Sequence, residues 1–115
     1  MSQLQEATEL LQAVADVNRL RILKCLQARP ACVCELVQAT GIPQPRVSRH
    51  LGILRKAGLV RTSRDGQWVE CACVGDEAST QIKALLRFVV EWVENGDEVL
   101  LDRARLESAN RQDCA

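Results

Sequence analysis

The amino-acid sequence predicts a mainly α-helical fold with one small β-hairpin, organised as a single winged helix-turn-helix domain. Three observations carry this. Residues 43–58 read Pro-Gln-Pro-Arg-Val-Ser-Arg-His-Leu-Gly-Ile-Leu-Arg-Lys-Ala-Gly. Val47, Leu51 and Leu54 form one apolar helical stripe there, which leaves Gln44, Arg46, Ser48, Arg49 and His50 as donor-rich side chains for another surface. Second, no acid occurs between Leu36 and Arg64, whereas Arg46, Arg49, Arg55, Lys56, Arg61 and Arg64 give that stretch a charge of +6 in a chain of formal net charge +0. A concentrated basic field suits a phosphate backbone. Third, Asp65-Gly66 lies between two β-prone runs directly after the basic helix, a hairpin signal placed where a wing belongs.

In chain order, residues 3–15 are expected as an amphipathic helix. Leu4, Leu11 and Val14 lie near one face with Ala7 and Leu10 beside them, a face broad enough for part of it to meet a partner subunit. Asp16 or Asn18 caps a second helix to about residue 28, with Leu20, Leu23 and Leu26 toward the core. Pro30 ends it. A short helix from about residue 32 to 40 and the basic helix make a helix-turn-helix over about 32–57, joined by Gly41-Ile42-Pro43. Pro45 suits the first turn of the second helix, and Gly58 ends it. The wing spans about 59–74, with Arg64 and Gln67 at its tip. Residues 79–95 form a strong helix with Ile82, Leu85, Leu86, Val89, Val90 and Val93 at helical spacing, closed by Asn95-Gly96. About 98–108 is a further helical stretch. From Glu70 onward ten acids face five bases, so this half is assigned to core packing and a dimer interface rather than to DNA. The tail, 109–115, is expected to be mobile over its last residues, Asn110 to Ala115.

Composition narrows the function. The 115 residues make one domain, and a core of that size gains from dimerisation. Aromatics are limited to Phe88, Trp68 and Trp92, which argues against a stacking surface for single-stranded nucleic acid. No apolar run is long enough to span a membrane, and the N-terminus does not resemble a secretory signal, so a cytoplasmic protein is expected. One histidine and no tyrosine, with no redox Cys-x-x-Cys, nucleotide loop or acid/base cluster, leave little equipment for an enzyme. Six cysteines in such a protein are expected as thiols, ligands or redox groups.

The runs Asn18-Arg19-Leu20-Arg21-Ile22-Leu23, Cys32-Val33-Cys34-Glu35-Leu36, Gln44-Pro45-Arg46-Val47-Ser48-Arg49-His50-Leu51 and Leu54-Arg55-Lys56-Ala57-Gly58-Leu59-Val60 resemble the ArsR/SmtB family of metal-sensing repressors. Gly66-Gln67-Trp68-Val69 resembles its wing, and Cys-Val-Cys before an acid and a leucine resembles the arsenic-sensing branch. The resemblance implies a homodimer built through the N- and C-terminal helices. It further implies repression of an arsenic-resistance operon and release from operator DNA when trivalent arsenic or antimony binds cysteine thiolates, with no resident cofactor. Gln44, Arg46, Ser48, Arg49 and His50 would meet the major groove, and Arg64 and Gln67 would support the wing contact.

Cys32 and Cys34 are the lead ligands, because trivalent arsenic and antimony are thiophilic. On a regular helix residues two apart point about 200° apart, so closing both on one atom would distort the helix. In a non-helical entry turn chelation is easy, and the switch needs another element. The family's three-cysteine pattern has Val37 at its third position here. A two-thiolate site would favour methylated or aryl arsenicals, whereas a third ligand from elsewhere would suit inorganic arsenite. Cys71 and Cys73 share one strand face and, with Cys114, are the additional candidates; Cys25 reads as core. Redox sensing, or zinc or cadmium sensing, on the same fold is the alternative. The helix at 79–95 lacks the Asp/His pairs that resemble the zinc-sensing branch.

Overall fold

The computed structural model describes residues 2–93 and 96–114. Helix α1 (Gln3–Val14) opens with Ser2 and Gln5 capping each other reciprocally, Ser2 N–H to Gln5 Oε1 at 2.9 Å and Gln5 N–H to Ser2 Oγ at 3.2 Å. Asp16 caps α2 (Val17–Ala28) by accepting the Asn18 and Arg19 N–H groups at 2.9 and 3.0 Å. These bonds to the ionised form, with the nearby Arg19 guanidinium, hold the Asp16 carboxyl below its ordinary value.

The helix expected from residue 32 begins one residue later. Ala31–Cys32 form a short strand, β1, and α3 runs Val33–Thr40 with Cys32 as its N-cap, extended at φ −82°, ψ 162°. Gly41 takes φ 73° to end α3, a conformation that suits glycine. The basic helix α4 is Gln44–Lys56. Its predicted stripe is buried, with Val47 and Leu54 at 0% and Leu51 at 6% exposure. Burying each such side chain stabilises the fold by about 1.5–3 kcal/mol. Gly58, at φ 84°, turns the chain into the wing, and a Cβ there would meet Ile82 Cδ1 at 3.0 Å.

The wing consists of β2 (Val60–Asp65) and β3 (Trp68–Cys73), paired antiparallel with Asp65 opposite Trp68, so the turn falls at Gly66-Gln67. The sheet has three strands in the order β1-β3-β2. Its third strand was not anticipated: Cys32 lies opposite Glu70 and Ala31 opposite Cys71. Helix α5 (Thr80–Trp92), capped by Ser79, ends before the predicted residue 95; Asn95, expected to close it, lies outside the described residues. Helix α6 (Asp97–Ser108) packs on α2 and α3 through Val99, Asp102 and Leu106. No described helix is long and apolar enough to cross a membrane.

Asp102 is 2% exposed and receives Arg21 in a two-pronged pair, Nε–Oδ2 2.9 Å and Nη2–Oδ1 3.0 Å. Arg21 Nη2 also donates to the Thr40 carbonyl at 2.7 Å, so one guanidinium ties α6 and the end of α3 to α2. The chain after α6 departs from the expected mobile tail. Asn110 accepts the Gln112 N–H and caps a 3₁₀ turn, Arg111–Asp113, which lies against α3 and the wing; Ala115 lies outside the described residues.

Candidate nucleic-acid interface and cysteine site

Gln44, Arg46, Ser48 and Arg49 are exposed on α4, opposite its buried stripe. Arg64 and Gln67 are exposed at the hairpin end. His50 is a correction: it is 3% exposed and its Nδ1 lies 3.3 Å from Arg19 Nη1. Desolvation, reinforced by nearby arginines, lowers its pKa against the pull of Asp16, so the ring favours its neutral form. Arg19 in turn donates to the carbonyls of Ala13 at 2.7 Å and Gln12 at 3.1 Å. His50 therefore helps seat α4 on the α1–α2 corner instead of facing DNA.

The cysteines divide into two sets. Cys25 is buried in α2, where desolvation pushes its thiol up to about 12. Cys71 and Cys73 sit under the sheet, and burial pushes both up to about 11. Cys73 Sγ points to the Leu23 carbonyl at 3.9 Å. Cys71 belongs to the hydrophobic core and Cys73 packs against it. Cys32, Cys34 and Cys114 instead line one cavity of about 710 Å³, together with Gln44 of α4 and Gln67 and Trp68 of the wing. Val37, at the family's third cysteine position, lines it too.

Within this set Cys32 and Cys34 are not two positions of one regular helix, because Cys32 belongs to β1 and Cys34 to the first turn of α3. Of the two expectations for the pair, the non-helical entry is the one found. Cys34 and Cys114, 80 residues apart, are paired sulfur to sulfur with a Cα–Cα distance of 5.7 Å. Cys32 is 2% exposed. Burial raises its thiol pKa, and the Arg111 guanidinium partly offsets that. Among the described residues no three His, Cys, Asp or Glu side chains stand in ligating geometry.

Arg111 holds the site's outer wall. Its Nε donates to Glu35 Oε1 at 3.0 Å, and its two Nη groups pair with Asp65 and Glu70 of the wing. Glu35 is 4% exposed, accepts the Cys32 N–H at 2.9 Å and pairs with Arg29 Nη2 at 3.0 Å. Burial opposes its ionisation, but the Cys32 N–H and the two guanidiniums outweigh burial and hold its pKa below the ordinary value. Gln38 clamps Asn110 from both sides, donating to its carbonyl at 2.8 Å and accepting its N–H at 3.0 Å. Sequence reasoning missed this network. A single arginine in a polar tail carries no periodic signal, and Glu35 reads as an ordinary first-turn acid.

Comparison with known proteins agrees with this architecture. Residues 16–62 match the family described as "Bacterial regulatory protein, arsR family". The chain is 38% identical over 84 residues to an uncharacterised HTH-type transcriptional regulator of Methanocaldococcus jannaschii, covering 72% of this chain and 94% of that protein. It is 37% identical over 89 residues to the arsenic resistance transcriptional regulator ArsR1 of Pseudomonas putida, covering 73% of this chain and 69% of that one. Reduced HlyU of Vibrio cholerae superposes with a TM-score of 0.67 at 32% identity, covering 79% of this chain and 92% of its own. The chain belongs to the arsR family of helix-turn-helix proteins, whose members are DNA-binding transcriptional regulators rather than enzymes.

Proposed function

We propose that this protein is the homodimeric repressor of an arsenic-resistance operon, released from its operator when trivalent arsenic or antimony binds thiolates that include Cys32 and Cys34. The observation that carries the reading is where the two cysteines stand. They flank the start of α3, which is joined to α4 by three residues, Cys32 as its N-cap and Cys34 in its first turn, in a cavity shared with Gln44 of α4 and with Gln67 and Trp68 of the wing. Ligation there bears on both DNA-facing elements at once. Coupling of this kind is typically about 1–3 kcal/mol, or about 5- to 150-fold in affinity.

The homodimer has a surface to use. Leu11 and Phe88 are 59% and 56% exposed and line an apolar groove of about 890 Å³ between α1 and α5. Zinc and cadmium are less favoured, since the single histidine is spent on Arg19 and a closed zinc site wants four N or S ligands. A second reading, oxidation as the release signal, is favoured by the direct pairing of Cys34 with Cys114, a different pair from the Cys32–Cys34 and Cys71–Cys73 combinations that the sequence suggests. DNA release by diamide but not by arsenite, on reduced protein, would select it. For the first reading the test is operator release by arsenite and phenylarsenite, lost in Cys34→Ser.

A further inference from the structure

We propose that Cys114 is the third thiolate of the inducer site and that residues 110–114 are a strap carrying it there. The proposal rests on the arsenical reading above and names the ligand which that reading lacks. Three features support it.

The first is placement. Cys114 reaches Cys34 from across the cavity, and Cys32 lines the same space. The second is that the placement is built. The Gln38 amide grips Asn110, Arg111 is tied to Glu35, Asp65 and Glu70, and Gln38 Nε2 lies 3.8 Å from Cys114 Sγ. A free tail would need none of these partners. The third is chemical fit. Three sulfur donors lining one cavity, two of them already together, suit a pyramidal trivalent centre.

The binding step balances without a redox change. Three thiols meet arsenous acid; three As–S bonds form, three As–O bonds break, and the three thiol protons leave with the hydroxyls as three waters. Cys34 and Cys114 enter this step as two free thiols, so where they are joined as a disulfide a low-molecular-weight thiol must first reduce it and take up the oxidising equivalents. Because Cys32 is buried on β1 opposite Glu70, drawing its sulfur toward the other two pulls on the strand that supports the wing. Arg111, three residues before Cys114, also grips Glu70. The third ligand thereby connects inducer binding to the wing as well as to α3.

The test uses full-length reduced protein and its Cys32→Ser, Cys34→Ser and Cys114→Ser variants. Arsenite and phenylarsenite are titrated separately. Binding is read by near-ultraviolet sulfur-to-arsenic absorbance and by mass spectrometry of the thiols protected from alkylation. Arsenite should protect Cys32, Cys34 and Cys114 together. Cys114→Ser should weaken arsenite about ten-fold or more, as loss of one arm of a chelate does, while phenylarsenite, with two open positions, changes far less. Cys114→Ala should repeat the result. Unchanged arsenite affinity in both Cys114 variants, with Cys34→Ser inactive, would overturn the strap ligand and leave the Cys32/Cys34 reading standing. Normal binding by Cys32→Ser and Cys34→Ser would overturn both.

Discussion

Asp102 shows how much one side chain organises this molecule. It is nearly unexposed, and its two oxygens are taken by Arg21, which also holds the Thr40 carbonyl at the end of α3. Asp102→Ala strands a guanidinium and should cost about 3 kcal/mol in denaturant unfolding. Asp102→Asn should cost less, because it keeps one acceptor. On the DNA side, Arg49 is exposed on α4 and free to reach a base edge. Arg49→Ala should weaken operator binding by about 1–3 kcal/mol, measured by anisotropy, and relax preference at the contacted base pair. His50→Gln should leave operator affinity nearly unchanged in the folded protein and lower its stability instead. The difference between these neighbours was present in the sequence. His50 stands three residues after Val47 and four before Leu54, on the buried stripe, whereas Arg49, two residues after Val47, falls on the opposite face. Residue type suggested a DNA contact at His50, but helical phase decides the matter.

Elements tell a different story from residues. Helices with strong amphipathic stripes and clear caps could be read from the chain, since Asp16, Pro30, Gly41 and Gly58 each mark a boundary by local physics. Strand β1 could not. Two residues have no periodicity, and Ala31 and Cys32 pair as a strand with Cys71 and Glu70 of β3. The strap was illegible for the same reason: Arg111 finds Glu35, Asp65 and Glu70 only after α3 and the wing are folded. Arg111→Ala should free the 3₁₀ turn and loosen the wing, read as faster amide exchange across β2–β3 and earlier proteolytic cleavage near Arg64.

The strap should also respond to acid. The Glu35 pKa is lowered in the folded protein from 4.5. The stability it supplies is therefore complete above the unfolded value and is lost as pH falls through the lower folded value. The amide protection factor near Asn110, referenced to intrinsic exchange at each pH, should thus be constant from neutral pH down to about 5 and fall below about 4.5, and Glu35→Gln should remove that step.

At the scale of the whole molecule, charge and apolar surface are separated. The basic stretch presents α4 and the wing on one side, while α1 and α5 leave Leu4, Leu11, Phe88 and Trp92 exposed at 82%, 59%, 56% and 78%. The segregation of charge along the chain, and the excess of apolar residues on the first helix, made both surfaces legible in outline. Charge and apolar area act over whole faces and do not depend on register. Leu11→Glu, placed in the α1–α5 groove, should dissociate the dimer in sedimentation experiments and weaken operator binding sharply, while the monomer retains its helical circular dichroism. The cysteine cavity lies elsewhere, between α3, the wing and the strap, so under the proposed function inducer binding would act on α3 and the wing directly and would not need to dissolve a dimer.

The proposed function requires that the Cys32 and Cys34 thiolates gate DNA binding. The most direct test is fluorescence anisotropy of the reduced protein on its own promoter DNA, titrated with arsenite, for wild type, Cys32→Ser and Cys34→Ser. Release of the wild type is expected, with both variants remaining bound at the same arsenite concentration. Release of both variants alongside the wild type, or no release of the wild type, would contradict it.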